Sequence, residues 1–420
     1  MVELLAPAGN FISLTSALKN GADAVYIGLE DMNMRVNASN FSLEDIKKAS
    51  EMTREYGAKL YVCTNTIMKD KDIEMLKKQL PYIKEYGADG IILSDISLID
   101  LAIESGLEAH MSVQENTTNF YALKALEKLG VKRAILSREL SLEEIKEITN
   151  KLKQSDSSIE TEVFIHGAMC MAISGRCFLS YGLYGRSANC GDCLQPCRKN
   201  WTLTFEESQN DAVSNTSDVS EESFVISKSF DDTYRTNFFS PKDMCMIEHI
   251  PELINTGVSS FKIEGRARSP DYGAMVTGIY REAIDSYLNN PDEYEVNPKW
   301  MEELKSVFNR GFDTGFYFNV PYETSETNQS KYIKKDIGQV VNFYSKVSVA
   351  ELRVWDDLKI GDKIMIQGET TGSITHVIDS MQIEGRDVKE VPKNSNVGVL
   401  IPTKVRKNDF VYKLTERSQQ

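Results

Sequence analysis

Eight short β-rich runs, separated by amphipathic helical patterns, limit what this chain can fold into. The runs are Glu3–Ala6, Ala24–Gly28, Lys59–Thr64, Gly90–Ser94, Glu108–Val113, Arg133–Ser137, Glu162–Ile165 and Ser260–Ile263. Between them stand patterns such as S-L-E-D-I-K-K-A-S-E-M-T-R-E-Y-G (42–57) and S-L-E-E-I-K-E-I-T-N-K-L (141–152). In the first, Ser42 is a helix cap, Glu44 and Asp45 suit the first turn, and Gly57 stops the helix. Strands alternating with helices pair in parallel, and eight such units make a (β/α)8 TIM-like barrel. An open doubly wound sheet is the competing arrangement. The count of eight and the lack of G-x-G-x-x-G after the first strand favour the barrel.

A chain of 420 residues exceeds one ordinary core, so more than one domain is expected. Helical patterns at Asp271–Leu288 and Pro298–Phe308 complete the barrel wall, giving a first domain over 1–320. Within it, about 206–236 is dense in Ser, Asp, Glu and Asn and reads as a flexible surface excursion. A linker over 321–335 follows. Residues 336–415 change to short strands with tight turns, I-G-Q-V-V-N-F, V-S-V-A-E-L-R-V, G-D-K-I-M-I-Q-G and G-S-I-T-H-V-I, the pattern of a small β-barrel.

The net charge of −14 argues against a general nucleic-acid coat. The charge is uneven: 34 basic against 50 acidic residues before Lys334, and 14 against 12 from there on. Basic clusters at Arg198–Lys199, 266–268, 334–335 and 404–407 are the places where phosphates could be held. No apolar run is long enough to span a bilayer, so no membrane partner is expected. The chain opens directly on a buried strand pattern, which points to a cytoplasmic, reducing setting.

Polar residues gather at the strands' C-terminal ends: Asn65, Ser94–Asp95, Ser112–Gln114, Ser137–Arg138, His166 and Glu264–Arg266. Barrel active sites are built on that face. Just after the seventh strand, five of the seven cysteines fall within 28 residues, spaced C-x6-C-x12-C-x2-C-x3-C from Cys170 through Cys177, Cys190 and Cys193 to Cys197. In a reducing compartment such thiols point to a metal or iron–sulfur site. Only Cys190 and Cys193 form a close pair, and the spacing leaves zinc and iron–sulfur open. Arg138, Lys262, Arg266 and Arg310 are candidates to hold a carboxylate or phosphate, because arginine presents a bidentate fork. The competing expectation is that Glu139 and Glu264 neutralise them in structural ion pairs. A hydrolase would need other signs. There is no H-E-x-x-H and no G-x-S-x-G, and among four histidines only His166, four residues before Cys170, offers a Cys–His pair.

The segment Glu162–Ser180 carries E-x-F, then G-A-x-C, four residues, G-x-C and x-L-S. With E-L-L-A-P-A-G (3–9), A-D-A-V-Y-I-G (22–28), R-x-N-A-x-N-F (35–41), S-P-K-D-M-C (240–245), K-I-E-G-R (262–266) and N-R-G-F-x-T-G-F-Y (309–317), it resembles the collagenase-like peptidase family U32 along essentially the whole chain. The resemblance implies iron–sulfur proteins of oxygen-independent hydroxylation, despite the family's name. The full-length branch with a C-terminal barrel similar to that of translation factors implies 5-hydroxyuridine formation in tRNA, with prephenate implicated as hydroxyl donor. It also implies a partner subunit of the same family. It places a 4Fe–4S cluster on Cys170, Cys177, Cys193 and Cys197, leaving Cys190 as an extra thiol. On their chemistry and place at the strand ends, His166, Glu264 and Arg266 are the expected catalytic residues, and Arg138, Lys262, Arg310 and Gln114 the expected cofactor-binding ones. The alternatives are a collagenase-like peptidase and a non-catalytic iron–sulfur partner protein.

Overall fold

The computed structural model describes residues 2–30, 32–35, 39–204, 233–236, 239–321, 323–325 and 328–417. Its first part is a closed parallel barrel. The strands are β1 (Glu3–Pro7), β2 (Ala24–Gly28), β3 (Lys59–Thr64), β4 (Gly90–Leu93), β5 (Glu108–Met111), β6 (Arg133–Ile135), β7 (Glu160–Ala168) and β8 (Ser260–Ile263). Each pairs in parallel with the next, as Leu5 does with Ala24 across β1 and β2. The ring closes because β8 pairs with both neighbours, Phe261 lying opposite Leu4 on one side and Val163 on the other. The register shifts between Lys262 and Ile263, an irregularity that re-aims side chains where β8 meets the site.

The helices form where their caps permit. The Asp45 amide donates to Ser42 Oγ at 3.2 Å, and the Ser42 amide donates to the Asp45 carboxylate at 2.9 Å. The helix Asp45–Glu55 follows, and Gly57, at φ +69°, ends its last turn. The expected wall helices appear as Pro270–Asn289 and Pro298–Leu304. The strand Asp243–Cys245 pairs antiparallel with the end of β7, placing the S-P-K-D-M-C motif against the barrel rim.

The barrel interior is not wholly apolar. Near the strands' N-terminal ends Arg133 lies buried among the carboxylates of Glu3, Glu160 and Glu162, at 2.7 Å from Glu160 and 3.3 Å from Glu162. His110 packs there, 4.5 Å between ring centroids from Tyr61 and 3.1 Å from Glu108.

The C-terminal part is an eight-stranded antiparallel sheet around its own core of Ile337, Val340, Leu352, Ile364, Val399 and Val411. Its long first strand, Tyr332–Tyr344, begins inside the stretch expected to be a linker. The sheet leans on the outside of the barrel: Lys19 Nζ donates to the carbonyls of Thr370 and Thr371 at 2.9 and 3.0 Å, and Gln367 donates to Asp271 at 3.1 Å. Residues 205–232 of the expected excursion, and positions 36–38 of the R-x-N-A-x-N-F motif, lie outside the described residues. Its flanks, Trp201–Thr204 and Thr233–Thr236, pair antiparallel. Among the described residues no helix is long and apolar enough to cross a membrane.

Candidate active site

The loops after β2, β3, β5, β6, β7 and β8 enclose a cavity of about 370 Å³ at the C-terminal end of the barrel. Four cysteines of the cluster, Cys170, Cys177, Cys193 and Cys197, border it; Cys190 does not. The loop that carries them is held in shape locally. The Leu194 amide donates to Ser180 Oγ at 3.1 Å, and Trp201 Nε1 donates to the Pro196 carbonyl at 3.0 Å. Arg198 is tied to Ser240 Oγ at 3.0 Å and to the carbonyls of Met169 and Pro241. Gly191 is at φ +79°, and a Cβ there would lie 2.1 Å from the Asn33 carbonyl, so this position admits only glycine. Burial pushes the Cys197 thiol up, and neighbouring Cys170, Cys193 and Cys177 push it further. Among the described residues no three His, Cys, Asp or Glu side chains are gathered to hold a metal ion. The thiols border the cavity rather than close on one point.

Facing the cysteines is a cationic floor. Arg138 lies 3.8 Å over the Phe164 ring and donates to the Ala168 carbonyl at 2.6 Å; its Nε has no hydrogen-bond partner among the described residues. Lys262 donates to Glu162 at 2.9 Å and stands 4.6 Å over the Tyr26 ring. Arg266 donates from Nη2 to Asn33 Oδ1 at 2.8 Å, while its buried Nη1 has no partner among the described residues. A Cβ on Gly28 would sit 1.6 Å from that Nη1, so the Y-I-G end of β2 leaves the space that the arginine of K-I-E-G-R fills. Glu264 pairs with Arg35 at 2.9 Å. Burial alone would raise the Glu264 carboxyl, but Arg35, Arg268 and Arg138 outweigh it and hold it down at about 2. Gln114 lines the cavity and accepts from Asn65 Nδ2 at 3.2 Å.

The residues expected from sequence do not all meet. Cys170, Cys177, Cys193, Cys197, Arg138, Lys262, Glu264, Arg266 and Gln114 share the cavity. Arg310 and His166 are not among its lining residues. Arg310 is 3.2 Å from Asp243 and 4.9 Å from the Phe308 ring, which makes it a structural ion pair. His166 is buried among Tyr272, Tyr280 and Phe312, with Nδ1 3.3 Å from Tyr280 Oη, and burial drives its pKa down to about 3. It is a neutral packing residue. The expected neutralisation by Glu139 and Glu264 takes another form. Glu139 receives the Ser137 hydroxyl, Glu264 takes Arg35, and Lys262 is neutralised by Glu162. Arg35 is a cavity cation that sequence reasoning passed over, and Arg198, named there only as part of a basic cluster, also lines the cavity. Arg35 stood within the quoted R-x-N-A-x-N-F motif, and Arg198 directly followed the last cysteine.

The profile of peptidase family U32 matches residues 9–327. An uncharacterized protease of Methanocaldococcus jannaschii is 46% identical over 99% of both chains. A collagenase of Porphyromonas gingivalis is 33% identical, again over 99% of both. The tRNA hydroxylation protein P1 of Bacillus subtilis is 35% identical over 90% of this chain and 86% of its own length.

Proposed function

The chain belongs to peptidase family U32, and from that premise we propose that it is an iron–sulfur-dependent enzyme that hydroxylates a uridine of tRNA at C5. The observation that carries this reading is the cavity itself, bordered by four cysteines on one side and a partly unpartnered cationic floor on the other. A relative named for tRNA hydroxylation aligns along most of the chain.

The donor set fits a 4Fe–4S cluster. A single zinc ion needs every thiolate within about 2.3 Å of one point, and no such gathering is found among the described residues; four cysteine thiols bordering one cavity match the ligand number of a 4Fe–4S cluster. Cys170, Cys177, Cys193 and Cys197 would hold it. Such a cluster, when bound, supplies one-electron chemistry to the cavity. The chain's own residues do the rest. Arg266 and Arg138 offer unpaired guanidinium N–H groups to a small carboxylate such as prephenate, the proposed hydroxyl donor. Glu264, kept ionised by Arg35, accepts hydrogen bonds from a substrate and is not a proton donor at neutral pH. Gln114 and Asn65 supply neutral polar edges. A Cys–His peptidase is disfavoured, because His166 is packed among aromatic rings while Cys170 is exposed at the cavity.

Anaerobic purification of the wild-type chain and of Cys177→Ala tests this. Wild type should carry iron and sulfide with a charge-transfer absorption band and should modify tRNA; Cys177→Ala should lose metal and modification together. A metal-free wild-type protein with full activity contradicts the proposal.

A further inference from the structure

Beside the cysteine cavity lies a second depression, also of about 370 Å³, and the two share a wall made of Met34, Asn65, Gln114 and Gly175. Its outer edge is Phe178, whose ring is 72% exposed and stacks on no other ring among the described residues, with Ile67, 59% exposed, also lining it. Two large apolar side chains are thus exposed side by side on the edge of a polar floor. Asn65 is only 9% exposed, yet its Oδ1 has no hydrogen-bond partner among the described residues; its Nδ2 is spent on Ser112 and Gln114. The Oδ1 of Asn189, also lining the depression, is likewise buried and unpartnered. Arg176 lies at the same depression, its Nε donating to the Gln114 carbonyl at 3.1 Å, its Nη2 3.7 Å from the Glu115 carboxylate, and its side chain more than half exposed.

We infer that this second depression is a subsite for the unpaired nucleobase next to the one presented to the cysteine cavity. The inference rests on the RNA reading above and adds where the flanking nucleotide sits. Phe178 offers a flat face for stacking, which every base can use. Asn65 and Asn189 offer acceptors to N–H groups on the base edge, which would satisfy two buried oxygens now left without a partner. Arg176 is placed for the connecting phosphate. Charge across the two depressions together favours a polyanion. The chain carries −14 overall, yet Arg35, Arg138, Arg176, Arg198, Lys262 and Arg266 outnumber Asp95, Glu115 and Glu264 in their linings. Sequence-specific RNA recognition acts on splayed single-stranded loops stacked on aromatic side chains, and a pair of adjoining depressions suits two such bases.

The test measures binding of a short RNA stem-loop, and of a fully paired duplex of equal length, to the full chain. Phe178→Ala should weaken stem-loop binding roughly 5- to 150-fold, leave duplex binding unchanged and leave the thermal midpoint unchanged, since the ring is mostly exposed. Phe178→Trp should retain affinity. Arg176→Gln should lower the slope of log affinity against log salt by about 0.7. Equal stem-loop affinity in wild type and Phe178→Ala overturns the subsite while leaving the RNA reading intact. Equal affinity combined with self-association that Phe178→Ala abolishes assigns the face to protein contact instead. A wild-type chain that binds neither RNA, yet is folded, overturns the RNA reading and the subsite together.

Discussion

Lys262 enters the cavity with its ammonium 2.9 Å from the carboxylate of Glu162, a residue with no solvent exposure. The same carboxylate lies 3.3 Å from Arg133, whose other partners are at the opposite end of the barrel. One buried anion therefore links the cavity floor to the charged plug beneath it. Removing one member of such a set leaves the others charged and unpaired, at a cost of about 3–5 kcal/mol. Glu162→Gln should lower the urea midpoint accordingly. A loss below about 1 kcal/mol would mean that the plug is not a buried ionic unit.

Arg35 and Glu264 set an acid limit. The Glu264 carboxyl titrates at about 2 in the fold and near 4.5 when unfolded. Its folded pKa is depressed, so its contribution is complete above pH 4.5 and disappears as pH falls toward 2. Calorimetry across that window should show wild type losing stability faster than Glu264→Gln. Parallel curves would contradict the pairing.

Gly28 and Arg266 occupy one space. Gly28→Ala should cost about 1–3 kcal/mol through overpacking and displace the guanidinium. A small dicarboxylate that raises the thermal midpoint of wild type should then have no effect on Gly28→Ala or on Arg266→Met. A retained shift in either variant would show that the anion binds elsewhere.

His166 should remain neutral through the physiological range, because its pKa lies at about 3. Ring proton shifts followed by NMR should show no inflection for His166 where an ordinary histidine titrates. An inflection near the ordinary value would return His166 to the list of acid–base candidates.

Much of this architecture was legible in the sequence. β2, β3 and β8 fall on the expected residues because buried parallel strands are short, dense apolar runs bounded by turn signals. Ser42 makes reciprocal bonds with Asp45, although the helix itself begins at Asp45 with Glu44 in the cap position. Cys170 and most of the polar strand ends meet because each lies just past a strand's C-terminal end, while Cys177, Cys193 and Cys197 reach the cavity along the loop that follows β7. What was not legible is long-range pairing. Nothing local in Glu162 marks it as the partner of Lys262, 100 residues away. Arg310 follows the fold into an ion pair with Asp243, in a strand that no periodicity announced. The charged plug was missed for a related reason: attention to the C-terminal ends of the strands passed over Glu3, Arg133 and Glu160 at the other end.

The central claim is most directly tested by nucleoside mass spectrometry of tRNA from cells lacking this protein, complemented with wild type or with Cys177→Ala. Hydroxylated uridine should vanish in the deletion, return with wild type and stay absent with Cys177→Ala, while purified protein leaves collagen uncut. An unchanged hydroxyuridine signal in the deletion, together with collagen cleavage that is lost in Cys170→Ala, would contradict the account.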